Sequence, residues 1–552
     1  MKQCPFCDGA LSASARFCPN CGKPLQASNL AGRPEAVTAQ RPNALAMNAI
    51  RGTLFIVPQH FVGSMQAILD SFGVQPGGLL HDADGTYLLS KSQNALRDAP
   101  VGSIRFVCIV GDWNDVPPSY VPNNLIYDGD EFCLTDAFYG AIEEFDPAVP
   151  LTAVPDIPVG RIPVAERRVV QRVLARDPDA SASRNSFHYG VTAECWKDAT
   201  LEIVSSFANL PKDAPVELPP ENADTLIKSA ILSSPQWTEP ALREVAGSGP
   251  VEPFGIILFN VHGGADEPHW VGEGDAGYVP IFESATVADF NSALLVSEAC
   301  YGGAMSYDSP SIVEQFFQNG GNSFVGSSTI AYGAPSTPIS AADLIAKHYV
   351  KGLYEGLSQG EALKVAKLEA LAEDPLSVEI GLKTALSFNL FGAPWQTLVV
   401  AASAPAPAPA SALPSNPGLQ SGSSVTRPAG SVLNRVRGNL ATPSTRISAT
   451  IDKFRDQYRA RLPPQNRLFV LEREELLTKI REFRDFSRIK EIVGAWGGSL
   501  EDSRLDYVSA GEAVGYRLFC HTKSIKKSKR TLILSINNSG QLIKSVTSKG
   551  GL

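Results

Sequence analysis

The sequence predicts an α/β protein built on a parallel sheet with helices on its faces. Two observations carry that expectation. Short, continuously apolar runs recur along the chain: TLFIVP (Thr53–Pro58), IRFVCIVGD (Ile104–Asp112), GIILFNVHGG (Gly255–Gly264), ALLVSEACYGG (Ala293–Gly303) and NSFVGSSTIAYG (Asn322–Gly333). Strands covered on both faces read as unbroken apolar runs of this kind, whereas half-exposed strands alternate. Between the runs lie segments of helical pattern, around Met65–Phe72 and over Gly360–Glu373.

A chain of 552 residues exceeds the size at which one hydrophobic core stops growing, so several domains are expected. A hydrophobic fraction of 44% with 19% charged residues is ordinary for a globular protein and excludes a disordered or fibrous chain. No apolar run approaches the roughly eighteen residues a membrane helix needs. The start, MKQCPFC, lacks the basic and apolar regions of a secretory signal. Nine cysteines are too few for a disulfide scaffold, and four fall within the first 21 positions, which favours metal binding. A bacterial protein of the reducing cytoplasm, with no membrane partner, is the expectation.

Composition divides the chain. Residues 1–25 form a cysteine module, and 26–50 an Ala-, Pro- and Asn-rich linker. The α/β body runs from 51 to 400 and is followed by a Pro/Ala/Ser-rich linker over 401–440, a semi-extended spacer by composition. Residues 441–552 combine helix-like charge patterning with the β-like runs GYRLFCH, RTLILSI and QLIKSV around an Asn537–Gly540 turn. A small α+β domain ending in a hairpin is predicted. From Arg427 onward there are 24 Lys+Arg against 12 Asp+Glu, which leaves −21 on the remainder of a chain of net charge −9. A basic tail on an acidic body points to separate units with separate partners.

Cys4, Cys7, Cys18 and Cys21 make two CxxC knuckles, CPFC and CPNC. Four thiolates so spaced suit one tetrahedral Zn²⁺, and a segment this short needs the metal to fold. A redox dithiol pair and an iron–sulfur site are the alternatives. With all four positions taken by thiolates the ion is structural, and partner recognition is the module's expected task.

The chemistry is concentrated at FNVHGG and SEACYGG. Each is an apolar run that ends in a reactive side chain, His262 and Cys300, beside glycines. In a parallel sheet the carboxyl ends of the strands share one rim, where α/β proteins place ligands. A thiol beside an imidazole there is an arrangement for nucleophilic catalysis. Amides of Gly263 and Cys300 could hold an oxyanion. Singly, a strand-end cysteine is most often inert and a His-Gly pair usually a turn. The two in this order, both with glycines, favour the catalytic reading.

FNVHGG followed by SEACYGG resembles the His-Gly and Ala-Cys blocks of the clan CD cysteine peptidases, the group of caspases and gingipains. TDAFYG (Thr135–Gly140), PDIPVGRIPV (Pro155–Val164), GNSFVGSSTIAYG and FNLFGAP (Phe388–Pro394) resemble further blocks of the gingipain family, C25. The family's last block ends Gly-Asp-Pro, and here Ala393 replaces the aspartate. The resemblance covers about residues 50–400. It implies a caspase/gingipain-like sheet in two subdomains, 51–183 and a catalytic 184–400. It also implies an acidic residue near the end of the strand SFHYGVTAEC that orients the histidine, which matches Glu194. Asp198, with Trp196 before it, is the counterpart of a residue that binds the substrate side chain preceding the scissile bond.

The reading is a cysteine endopeptidase acting on proteins or peptides, gated or targeted by the zinc ribbon and the C-terminal domain. Two rivals stand beside it: a pseudo-enzyme scaffold, and a nucleic-acid-binding regulator using the zinc ribbon and KSIKKSKR (Lys523–Arg530). The second is less favoured, because a charge run is most often a solvated face and no aromatic-rich nucleic-acid motif accompanies it.

Overall fold

The computed structural model describes residues 2–3 and 10–11, most of 42–398 and most of 469–548; the longer stretches outside the described residues are 12–41, 206–228, 235–254 and 399–468. The chain divides into two compact units, Met1–Arg41 and Pro42–Leu552. In the first, Lys2–Gln3 pairs antiparallel with Ala10–Leu11. These strands bracket Cys4 and Cys7, which lie outside the described residues together with Cys18 and Cys21.

The second unit is organised by a ten-stranded sheet. In chain order its strands are β1 (Thr53–Pro58), β2 (Gly78–Asp82), β3 (Phe106–Val110), β4 (Val159–Ile162), β5 (His188–Ala193), β6 (Ser229–Ser234), β7 (Ile256–Asn260), β8 (Leu294–Ser297), β9 (Ser323–Ser327) and β10 (Phe388–Gly392). Their spatial order is β6-β5-β7-β8-β9-β10-β4-β3-β1-β2. Every pairing is parallel except β9 with β10. Two parallel halves of opposite direction therefore meet at one antiparallel seam. The unbroken apolar runs follow from this: β1, β3, β7, β8, β9 and β10 are buried at every position. The helices that cover the sheet include α1 (Ala44–Arg51), α2 (Val62–Phe72), α3 (Leu88–Asp98), α4 (Arg167–Ala175), α5 (Lys197–Ser205), α6 (Ile312–Gln318), α7 (Ala342–Tyr354), α8 (Gln359–Glu373) and α9 (Val378–Ser387). No described helix is long and apolar enough to cross a membrane.

The seam is closed by charge. Arg161 on β4 is wholly buried and grips Asp136 through two bonds, Nε to Oδ2 at 2.7 Å and Nη2 to Oδ1 at 2.6 Å. Its remaining nitrogen donates to the carbonyls of Gly111 and Asp112. Asn389 on β10 accepts from the Asp136 amide at 2.9 Å. Such a fork gives both Asp136 carboxylate oxygens and all three Arg161 nitrogens a partner, which is the condition for a buried ion pair to be tolerated. Three of the blocks singled out in the sequence, around Asp136, Arg161 and Phe388–Pro394, thus meet at one structural joint. Ala393 is buried in the main core, where a carboxylate would have to be desolvated.

The C-terminal region has α10 (Arg473–Arg481) and α11 (Phe486–Ala495) against strands β11 (Phe469–Val470), β12 (Arg504–Ala510), β13 (Ala513–Thr522), β14 (Arg530–Asn537) and β15 (Leu542–Ser548). Leu476, Ile480, Ile489 and Val493 of the helices pack on Leu505, Leu518 and Leu534. The strands pair antiparallel in sequence order, and β15 then takes Tyr332–Gly333 of the α/β body as its outer neighbour. The sequence reads this region as an appended domain beyond a linker. In the structure its sheet incorporates two residues that follow β9, because an open strand edge pairs with any extended segment that reaches it.

Candidate active site

Four neighbouring strand ends build one rim. β7 and β8 are adjacent and in register, with Phe259 opposite Ser297, and β5 flanks β7 with Thr192 opposite Asn260. Past those ends come Glu194–Trp196, His262 and Cys300, while the chain leaving β9 reaches Ala331. The sequence-predicted pair thus emerges from neighbouring strands running the same way. The His-Gly and Ala-Cys segments press together: a Cβ on Gly263 would stand 2.1 Å from the Cys300 carbonyl oxygen. Only glycine permits that approach.

Cys300 is wholly buried. Its sulfur accepts from the Ala331 amide at 3.2 Å and lies 3.5 Å from the Ala331 carbonyl oxygen. Burial, which disfavours the thiolate, pushes the thiol up to about 12, against the smaller lowering effect of the Ala331 amide. The next residue, Tyr301, has φ of 55°, a left-handed conformation that a bulky side chain adopts only when its surroundings enforce it. The Tyr301 amide donates to the Thr329 carbonyl at 2.9 Å, and its hydroxyl donates to Asp130 at 2.6 Å. Asp130 also accepts from the Ile330 amide and from Lys383, whose ammonium pairs with Asp128 as well. One carboxylate therefore ties the Tyr301 side chain, next to Cys300, to the Ile330 backbone, next to Ala331. The Lys383 cation is the main counterweight to burial at Asp130 and helps hold that carboxyl below its ordinary value, while at Asp128 burial dominates and raises it.

His262 opens a three-stranded antiparallel layer, His262–Gly263 with His269–Gly274 and Gly277–Glu283. Its partner across the ladder is Val271. Glu273 stands two residues further along, a diagonal position from which a long side chain reaches the facing residue. His262 Nε2 lies 2.9 Å from Glu273 Oε2. Cys195 Sγ donates to the same oxygen at 3.3 Å. Trp196 is fully buried and tilts against the imidazole with ring centroids 4.4 Å apart. It also donates from Nε1 to Thr547 Oγ1 on β15, at 3.4 Å. The edge that cradles Cys300 is covered next door, since Tyr332 and Gly333 pair with Ser548 and Thr547.

Of the residues singled out in the sequence, Cys300, His262, Gly263 and Trp196 come together. Glu194, expected to orient His262, is exposed in the short turn Glu194–Trp196, and the carboxylate on the imidazole belongs to Glu273. In that turn Trp196 is the side chain that goes inward, and Glu194 faces solvent. Asp198 is exposed in the first turn of α5. Glu273 escapes the sequence reading because it lies in the hairpin HWVGEGDAGYVPIFE. The alternation of that segment around the sequence Gly-Asp-Ala-Gly is the signal that could have found it. Among the described residues, Cys195, His262 and Glu273 are the one group whose ligand-type atoms all lie within 4.8 Å of one another.

The model of Peptidase family C25 matches residues 83–399, more than half of the chain. No curated protein sequence matches it significantly. Among solved structures, the Arg-specific cysteine proteinase gingipain R (RgpB) is 10% identical, with 90% of this chain and 98% of that one covered at a TM-score of 0.44. The complex of Porphyromonas gingivalis RgpB pro- and mature domains is 9% identical, with 89% and 99% covered and the same TM-score. The family blocks, the ordered strand ends and the extent of the family match lead to one conclusion: the chain belongs to peptidase family C25, whose members are cysteine peptidases.

Proposed function

We propose that Cys300 attacks the scissile carbonyl carbon, His262 carries the proton and Glu273 orients the imidazole. The observation that carries this is the level ending of two adjacent parallel strands, which delivers the histidine and the cysteine to one rim. A thiol held neutral by burial gains nucleophilicity only as its proton leaves. With Nε2 engaged by Glu273, that proton passes to Nδ1. The S–C bond forms, the C–N bond breaks, and the same proton goes to the departing amine; water then releases the acyl group. Amides of Gly263 and Cys300 are assigned to the oxyanion. An electrophilic peptide should label Cys300 in the native protein and fail to label it in His262→Ala. Equal labelling in both removes the assignment and favours a pseudo-enzyme.

The C-terminal region is assigned the role of a gate. Its support is the pairing of β15 with Tyr332–Gly333 and the Thr547 contact to Trp196, which reach the immediate neighbours of both reactive side chains. In the full-length chain, Thr547→Pro removes a ladder donor and should change the rate of peptide hydrolysis several-fold. Unchanged kinetics in a folded variant would sink the idea. The four N-terminal cysteines are assigned to one structural Zn²⁺ on the chemistry of the donor set, and their module to recognition of a protein partner. A cytoplasmic setting is the companion proposal, on the sparse cysteine usage of the chain.

A further inference from the structure

We propose that Cys195, His262 and Glu273 form a second metal site, for zinc-class ions, that switches the peptidase off by taking the catalytic imidazole as a ligand. The site is separate from the N-terminal cysteine knuckles, and its regulatory role rests on the reading of His262 as the proton carrier. The donor atoms are Cys195 Sγ, His262 Nε2 and a Glu273 carboxylate oxygen, all within 4.8 Å of one another. Nε2 to Oε2 is 2.9 Å and Sγ to Oε2 is 3.3 Å. Tetrahedral zinc bonds of 2.0–2.3 Å place neighbouring ligand atoms roughly 3.3–3.8 Å apart. The two contacts to Oε2 widen by less than an ångström around an ion, and the Sγ–Nε2 separation, within 4.8 Å, settles into the same range.

The donor set is selective. One thiolate, one imidazole and one carboxylate suit Zn²⁺ or Co²⁺ and discourage Ca²⁺ and Mg²⁺, which take oxygen alone. Cys195 comes from the turn after β5, while His262 and Glu273 come from paired strands of the three-stranded layer, so hydrogen-bonded elements hold the site before any ion arrives. His262 is buried while the Glu273 side chain keeps 25% exposure, which gives an ion a path from solvent. A thiolate and a carboxylate neutralise a divalent ion, so the complex adds no net charge to a partly buried place.

The consequence for catalysis follows from the imidazole. An ion on Nε2 displaces the Nε2 proton to Nδ1, and Cys195 releases its own proton to solvent, one proton per ion bound. A ring carrying Nδ1–H can no longer accept the proton of the Cys300 thiol. Cys300 takes no part in the coordination, so metal binding and turnover can be read independently.

The test uses the full-length protein with Co²⁺ as probe. Thiolate-to-cobalt absorption is titrated in Cys300→Ala and in the double variant Cys300→Ala, Cys195→Ala, with Cys195→Ser as the substitute should the alanine variant not fold. One cobalt equivalent should vanish with Cys195 while the N-terminal cysteines contribute equally to both; equal stoichiometry overturns the site. In parallel, Zn²⁺ should abolish peptide hydrolysis by the native protein reversibly on chelation, and Cys195→Ala should need at least tenfold more Zn²⁺ for the same loss. Equal zinc sensitivity overturns the switch. The absorption requires no turnover. If no variant hydrolyses peptides, the peptidase assignment has failed, and the cobalt count still decides the site.

Discussion

In the half of the sheet made by β1–β4, the carboxyl ends of the strands are closed by Arg161 and Asp136, each donor and acceptor matched and the arginine wholly buried. In the half made by β5–β9, the corresponding ends carry Trp196, His262 and Cys300, with a neutral thiol, an imidazole on a carboxylate and a strained tyrosine. Both edges gather polar groups where α/β architecture exposes strand ends. One edge spends its charges on each other and becomes a joint. The other leaves a buried neutral thiol on the same rim as an imidazole. The contrast separates family blocks that serve the fold from those that serve the chemistry, although all of them read alike in sequence.

That division can be broken experimentally. The largest expected effect is on the catalytic edge: Cys300→Ala should lower peptide hydrolysis by about 10⁴-fold or more with the melting temperature unchanged, as loss of a nucleophile does elsewhere. The closed edge should behave in the opposite way. Arg161→Met leaves Asp136 buried and unpaired and should cost about 3–5 kcal/mol in denaturant unfolding, while the double change with Asp136→Leu should recover most of it. Hydrolysis per folded molecule should be unaffected in the double variant. Smaller again, Glu273→Gln should lower kcat about 10–100-fold, whereas Glu194→Gln should leave it alone, since an orienting partner contributes through the histidine it holds. An equal loss in both variants would return Glu194 to the site.

Two titrations sharpen the same contrast. The raised Cys300 thiol is protonated throughout the neutral range, so its alkylation in His262→Ala should keep climbing with pH beyond pH 9; a plateau near neutrality would reveal a preformed thiolate. Near the joint, Lys367 is buried, and burial pushes its ammonium down to about 7, against a smaller raising effect of Asp136. Unfolded, it would bind its proton up to its ordinary value. The unfolded chain therefore holds more protons between about pH 7 and pH 10, and the penalty is fully present below pH 7 and relieved as pH rises. Lys367→Met should raise stability at pH 7 by about 1 kcal/mol or more, since a tenfold change in proton affinity corresponds to about 1.4 kcal/mol.

The α/β class and the placement of His262 and Cys300 past adjacent strand ends were legible because unbroken apolar runs and strand-end glycines are local signals. The α/β body of the chain was visible for the same reason. Glu273 was not, because its pairing with His262 depends on the register of a hairpin and not on spacing from a strand end. Glu194 came from a resemblance, and the turn geometry after β5 sends it to solvent. The union of β15 with Tyr332–Gly333 was beyond local reading: an edge strand carries no sequence mark of the neighbour it will take, and these partners are more than two hundred residues apart. The Asp130–Lys383 tether behind Cys300 was hidden for that reason too.

The seam strand β10 also sets a timetable for the newborn chain. Asn389 supplies the acceptor for the Asp136 amide across 253 positions, and Phe391 is the pairing partner of Arg161. Neither can act until the ribosome has released nearly four hundred residues. Until then the amino-terminal strands have an open edge and the catalytic strands have no neighbour beyond β9. Closing so distant a contact is slow, since loop entropy is lost before the pairing returns anything. A polypeptide that cleaves other polypeptides therefore joins its two halves only after about four hundred residues have been made.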